Sequence, residues 1–289
     1  MSASGAAAHA VRVITSPAEM SAWSDAARAR GERIAFVPTM GYLHAGHVAL
    51  LQEGRRRGDR LVLSIFVNPT QFGPQEDLDR YPRDLPGDLA KAAAAGTDVA
   101  FVPERAGMYP PGHQTTIQVH GLEQGLCGAT RPGHFVGVAT VVCKLFNIVR
   151  PHVTVFGEKD FQQLAVIRRM VLDLDLSVEV IGLPTVREPD GLAMSSRNKF
   201  LSPDERARAV ALSRALFAAR DACQAGQRDA ATLLAAAEAT VAPAVTRLQY
   251  LELCDAETLQ SISKVDRPAV MAVAAFLGQT RLIDNVRLG

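Results

Sequence analysis

The feature that most constrains this chain is an alternation along its first two-thirds, in which short apolar runs are separated by longer amphipathic stretches. The runs are RIAFV (33–37), LVLSIFV (61–67), DVAFV (98–102), TTIQV (115–119), VTVF (153–156) and VEVI (178–181). Each is short and mostly β-branched or aromatic, so each reads as a strand. Helical spacing is expected between them, over about 17–30, 45–56, 86–95, 135–149 and 159–173. Strands that alternate with helices give an α/β fold, a mostly parallel, doubly wound sheet covered on both faces.

The pattern changes after residue 185. The stretch LSPDERARAVALSRALFAARDACQAG (201–226) opens with Ser202, Pro203 and Glu205. These fit an N-cap, an N1 proline and a capping-box glutamate in register. An Ala-rich helix over 229–240 follows, and LQYLELCDA, AVMAVAAFLG and TRLIDNVRL then read as strands. A smaller C-terminal α+β domain is expected, with the chain dividing into 1–185 and 186–289 near the Pro- and Gly-containing LPTVREPDG (183–191).

Charge excludes one class of partner. Lys plus Arg number 31 against 30 for Asp plus Glu, a net charge of +1, without the basic excess of a nucleic-acid binder. The one dense basic cluster, RRRGDR (55–60), reads as the solvated end of a helix. Cys127, Cys143, Cys223 and Cys254 are too widely spaced for a CxxC-type metal site, and they suit a reducing compartment. MSASGAAAHAVRV has neither the basic nor the apolar region of a secretory signal, and no apolar run reaches membrane-spanning length. A soluble, cytoplasmic protein is expected.

Four stretches can carry chemistry. In PTMGYLHAGHVALL (38–51), His44 and His47 stand where a strand gives way to a helix, the usual ligand crevice of an open α/β sheet. Two histidines one turn apart suit a solvated helix start, a metal or an anion. No third ligand lies nearby for a metal. A helix N-terminus offers unsatisfied N–H groups to an anion, and Gly46 leaves room for a close approach, so phosphate binding is favoured. In SIFVNPTQFGPQEDLDRYPR (64–83), Gln71 follows a buried strand and its amide can both donate to and accept from a hydroxy acid. Taken alone, this is an ordinary βα loop. In VFGEKDFQQLAVIRRM (155–170), Lys159 lies beside a helix start and suits a phosphate. Asp160 fits an N-cap equally well, and Gln163 follows one turn later. In REPDGLAMSSRNKFL (187–201), Ser195, Ser196 and Arg197 offer hydroxyls and a planar cation to a polyphosphate, or form a polar linker.

Together, PTMGYLHAGH, SIFVNPTQFG…DLDRYPR, RPGHFVGVATVV, FGEKDFQQ and DGLAMSSRN resemble the pantoate–β-alanine ligase family, in the family's order and over about residues 12–287. The first and last are similar to the HxGH and KMSKS-type signatures of the nucleotidyltransferase superfamily that includes class I aminoacyl-tRNA synthetases. The resemblance implies a Rossmann-like sheet and an ATP-dependent condensation of pantoate with β-alanine through pantoyl adenylate, releasing AMP and pyrophosphate. It implies Mg2+ with the nucleotide, and a homodimer. His44 and His47 are implied at the phosphates, with His47 as proton donor. Lys159, Ser195, Ser196 and Arg197 are implied to neutralise the transferring and leaving phosphates. Pro38, Thr39, Met40, Gly46, Gly157, Asp160, Val186 and Met194 match the ATP pocket. Gln71 and Gln163 match the hydroxy-acid site, with Phe66 and Phe156 as apolar walls. Many relatives carry adjacent acidic residues near the metal, where this chain has Gly87 and Asp88. Asp88 is the one candidate metal ligand, with Mg2+ held mainly by the phosphates. Two alternatives stand beside the ligase: a nucleotidylyltransferase that keeps the nucleotide on its product, and a catalytically silent nucleotide-binding protein.

Overall fold

Four consecutive buried residues, Ile34 to Val37, lie in the middle of a sheet in the computed structural model, which describes residues 10–74 and 76–289. The strands of that sheet are β1 (Arg12–Ile14), β2 (Ile34–Thr39), β3 (Arg60–Ile65), β4 (Val99–Phe101), β5 (Val153–Gly157) and β6 (Glu179–Leu183). Their spatial order is β1-β4-β3-β2-β5-β6. The pairs β1–β4, β4–β3, β3–β2 and β2–β5 are all parallel. Both faces of β2 are covered, which is why its sequence is a continuous apolar run and does not alternate. Ala35 and Val37 pack with Leu51 of α2 (Ala45–Arg57) and Ala92 of α3 (Leu85–Ala94). Phe36 meets Phe146 of α6 (His134–Val149) edge to face at 6.4 Å. The helices α1 (Pro17–Ala29) and α7 (Phe161–Asp173) complete the long connections, and α4 (Arg105–Met108) and α5 (Leu126–Thr130) are single turns.

One expected strand does not form. Residues 115–119 run as irregular chain, and the N–H of Ile117 donates to Oγ1 of Thr140 on α6 at 2.9 Å. Alternation of Ile117 with Val119 imitates a strand, but a strand exists only where a neighbour supplies the ladder. The reverse holds for β1, whose three residues are too few to show a period yet pair in register with Val99–Phe101.

The C-terminal region follows its sequence pattern. Ser202 and Glu205 cap α8 (Pro203–Gln224) reciprocally, Glu205 N to Ser202 Oγ at 3.3 Å and Ser202 N to Glu205 Oε2 at 2.8 Å. After α9 (Ala230–Val241) come β7 (Arg247–Asp255), β8 (Ala269–Leu277) and β9 (Thr280–Leu288), an antiparallel sheet in the order β7-β8-β9. One face of this sheet buries Met271, Val273 and Leu282 against Leu212 and Leu216 of α8 and Leu233 of α9. The other face holds Cys254, Val270 and Ala272 against Leu126 of α5 and Phe161 of α7.

The chain forms two compact units. The first comprises residues to Gln118, Gly133–Phe156 and Ile167–Leu183; the second comprises Val119–Pro132, Gly157–Val166 and Pro184–Gly289. Among the described residues, no helix is long and apolar enough to cross a membrane.

Candidate active site

The candidate residues fall into two groups, one on each unit. On the first unit, β2 ends in Pro38, Thr39 and Met40, beside the point where the strand order reverses. Ligands of open α/β sheets bind at such points, outside the carboxyl ends of the strands. Thr39 Oγ1 donates to Ser64 O at 2.8 Å and accepts from Gly41 N at 3.2 Å, fastening the start of the turn. The chain then passes through two left-handed residues, Gly41 at φ +83° and Tyr42 at φ +53°. A Cβ on Gly41 would sit 2.9 Å from Ile65 Cγ2 and 3.0 Å from Asp88 Oδ2, so only glycine fits.

Asp88 holds this turn. It lies in the first turn of α3, is 1 % exposed, and accepts from Tyr42 N at 2.8 Å and Leu43 N at 2.6 Å, one bond to each oxygen. Charge-assisted bonds of this kind offset the left-handed backbone at Tyr42, which costs about 1–2 kcal/mol. Asp88, expected as a metal ligand, has both carboxylate oxygens bonded to main-chain N–H groups. Among the described residues, no cluster of three or more His, Cys, Asp or Glu side chains could hold a metal.

The turn delivers His44 to the N-cap of α2. Gly46 N donates to His44 Nδ1 at 3.1 Å, and His44 N donates to His47 Nδ1 at 3.3 Å. This is a capping box built from two imidazoles, whose ring centroids lie 4.1 Å apart. A ring nitrogen that accepts an N–H carries no proton, so each neutral ring holds its proton on Nε2. The expectation of open helix N–H groups is thereby refined, because His44 caps Gly46 and His47. Nε2 is thus the protonated edge of each ring. No acidic residue occupies the first turn of α2.

Gln71 lies beside Met40, its Nε2 3.3 Å from the methionine sulfur. Its Oε1 accepts from Asn68 Nδ2 at 3.0 Å, and its main-chain oxygen lies 2.8 Å from His134 Nδ1. Asn68 is the hub of this corner: it also donates to Gly137 O at 3.1 Å and accepts from Tyr109 Oη at 2.8 Å and Thr70 Oγ1 at 2.9 Å. Burial pushes the Tyr109 phenol above its ordinary pKa, keeping it a neutral donor. A Cβ on Gly137 would lie 2.5 Å from Thr70 O, so this glycine lets α6 press against the Gln71 turn. Phe66 and Phe156 are buried, and Phe66 packs 6.3 Å from the ring of Tyr109.

On the second unit, Gly157 leads into a 3-10 turn, Glu158–Asp160, before α7. Lys159 is half-buried there, Asp160 is exposed and Gln163 is half-buried. Burial pushes the Lys159 ammonium below its ordinary pKa; Asp160 opposes this, Arg197 adds to it and Asp284 opposes it. Val186 O accepts from Met194 N at 3.0 Å, closing a loop that ends at Ser195. Ser195 caps the 3-10 turn Ser196–Phe200, its Oγ accepting from Arg197 N at 3.2 Å.

A family model described as pantoate-beta-alanine ligase matches residues 12–287. The chain belongs to the pantoate–β-alanine ligase family. A pantothenate synthetase of Anaeromyxobacter dehalogenans is 58% identical over 96% of this chain and 98% of its own. A crystal structure of a Thermus thermophilus pantothenate synthetase superposes with a TM-score of 0.90 at 48% identity, covering 96% of this chain and 99% of that one. A Francisella tularensis pantoate–β-alanine ligase, complexed with beta-gamma ATP and β-alanine, matches with a TM-score of 0.81 at 32% identity over 96% of this chain and 97% of its own. The activity is that of the pantoate–β-alanine ligases, and the nucleotidylyltransferase alternative finds no support in these matches.

The pantoate–β-alanine ligase residues that motif reading passes over are those that aim others. Tyr109 orients Asn68 from beside a single-turn helix with no sequence period. Asp88 is a candidate by sequence only as a metal ligand, and no sequence signal gives its contacts to main chain. Asp284 and Asn285 are two adjacent buried polar residues between Ile283 and Val286 of β9, in a strand that also carries Arg281 and Arg287.

Proposed function

We propose that the ligation runs in two steps on ATP. A pantoate carboxylate oxygen attacks the α-phosphorus, the bond from that phosphorus to the bridging oxygen breaks, and pyrophosphate leaves with the electron pair. The deprotonated amine of β-alanine then attacks the acyl carbon. The acyl–oxygen bond breaks, and AMP leaves with that pair.

In this reading the protein's share is positioning and charge. His44 and His47 donate from Nε2 to phosphate oxygens, and His47 supplies the proton donor as charge develops. Lys159, Ser195, Ser196 and Arg197 neutralise the transferring and leaving phosphates. Pro38, Thr39, Met40, Gly46, Gly157, Asp160, Val186 and Met194 contact the nucleotide. Gln71 and Gln163 hold the hydroxy acid, with Phe66 and Phe156 against its methyl groups. Residues 1–185 act as the ATP- and pantoate-binding part and 186–289 as the lid part of a cytoplasmic homodimer, whose stoichiometry sedimentation equilibrium measures.

In this reading Asp88 serves the main chain, each of its oxygens accepting one N–H bond. Any magnesium is held by the ATP phosphates and water.

The observation that carries this reading is the pair of imidazoles whose Nδ1 atoms accept main-chain N–H bonds, which makes Nε2 the donor of each ring. Pantoate labelled with 18O in its carboxylate tests it. One label must appear in AMP, since the attacking oxygen stays on phosphorus. Label in inorganic phosphate or pyrophosphate instead would sink the adenylate route.

A further inference from the structure

Two adjacent residues of β9 hold the two loops that carry the second unit's charged candidates. In a strand, neighbours point to opposite faces. Asn285 lies on the face with Arg281 and Arg287, and its Nδ2 donates to both Glu158 O at 2.9 Å and Lys159 O at 2.8 Å. Both N–H bonds of one amide are therefore used on two successive carbonyls of the Lys159 turn. Arg287, two residues on, pairs with Glu158 at 2.8 Å and stacks 5.0 Å from the centre of the Phe161 ring.

Asp284 lies on the opposite face and is 2 % exposed. Its carboxylate accepts from Arg187 Nη1 at 2.7 Å and Nη2 at 2.9 Å, and from Asn285 N at 2.7 Å. Arg187 also donates to Gly191 O at 3.0 Å and pairs as a β-bridge with Ala193, just before Met194 and Ser195. A bidentate guanidinium–carboxylate pair with a buried carboxylate has one good geometry, so it fixes the loop that leads to Arg197.

We propose that Asn285 and Asp284 are positioning residues for adenylation: Asn285 sets the Lys159 turn and Asp284, through Arg187, sets the Ser195–Arg197 loop. They touch no reacting atom. The assignment rests on the reading of Lys159 and Arg197 as phosphate ligands. Main-chain carbonyls held from a sheet strand move less than side chains held by other side chains, and displacement of a charged donor by about 1 Å can cost on the order of a hundredfold in rate.

A double-mutant cycle in pantoate-dependent ATP–pyrophosphate exchange tests it, with Asn285→Ala, Lys159→Ala and the pair in the full-length enzyme. The expected result is a drop in exchange of roughly tenfold to a hundredfold for Asn285→Ala in the parent, and little further drop when Lys159 is already alanine. Asn285→Asp keeps the size and removes both donors, so it must reproduce the loss if the alanine variant fails to fold. An equal drop in both backgrounds, or none in the parent, would overturn the assignment. A Lys159→Ala variant that exchanges normally would instead refute the role of Lys159, leaving the clamp without a purpose in catalysis. For Asp284, Asp284→Asn must lower the exchange rate and lose its effect once Arg197 is alanine. Loss of thermal stability with an unchanged rate would assign Asp284 to folding alone.

Discussion

The main-chain N–H of His44 donates to Nδ1 of His47 across one turn of α2, at 3.3 Å, while His44 Nδ1 accepts from Gly46 N at 3.1 Å. The cap fixes both tautomers at the same time as it starts the helix. In the proposed reading, folding and chemistry draw on the same two rings, with Nε2 the protonated edge of each. In 15N-labelled protein near neutral pH, both rings should show a protonated Nε2 and a bare Nδ1. A protonated Nδ1 on either would contradict the cap. His47→Ala should lower adenylation by on the order of a hundred- to a thousandfold, as loss of a charge-stabilising donor does.

Asp88 should behave as a backbone clamp. Asp88→Asn places an amide N–H where an acceptor is needed, leaving one of two buried N–H groups unpaired. A loss of about 1–3 kcal/mol in stability is expected, together with slower adenylation, because the turn that launches His44 loosens. The Mg2+ concentration giving half-maximal rate should stay unchanged. A raised magnesium requirement with parental stability would return Asp88 to the metal.

Lys159 should be a site where function costs stability. Its folded pKa lies below the ordinary value, mainly because burial disfavours the ammonium. Between the lowered folded pKa and the unfolded value of about 10.4, the unfolded chain binds more protons, so this group makes stability rise with pH across that window. Below the folded pKa the full cost of burying the charge remains. Lys159→Met should therefore raise the melting temperature of the ligand-free protein near neutral pH, with the gain shrinking at alkaline pH, while adenylation is lost. A lower melting temperature at every pH would contradict the account.

The Gln71 corner should answer to a change two elements away. Gly137→Ala drives a methyl into Thr70 O, since a Cβ there would lie 2.5 Å from that oxygen. The turn carrying Gln71 must shift, so the KM for pantoate should rise more than the KM for ATP, as in Gln71→Ala. Equal effects on both substrates would show that the corner does not serve pantoate.

The sequence made most of the fold legible, for physical reasons visible in single elements. Ile34–Val37 is apolar without a break because both faces are covered, and Ser202, Pro203 and Glu205 announce α8 by local chemistry alone. Residues 115–119 misled because alternation describes one chain, whereas a strand needs two. The histidines, Lys159 and Arg197 could be nominated by residue type and setting. Asn68, Tyr109, Asp284 and Asn285 could not, because their work is to hold groups 39 to 127 positions away in the chain, a relation no local window contains.

The central claim is that pantoate is activated on ATP before any amine is needed, with the two imidazoles at the phosphates. The most direct measurement is ATP–pyrophosphate exchange with pantoate present and β-alanine absent, run on the parent and on His47→Ala. The account predicts exchange that depends on pantoate in the parent and is nearly abolished in the variant. Absence of exchange in the parent, with AMP formed once β-alanine is added, would contradict it, as would a His47→Ala variant that exchanges at the parental rate.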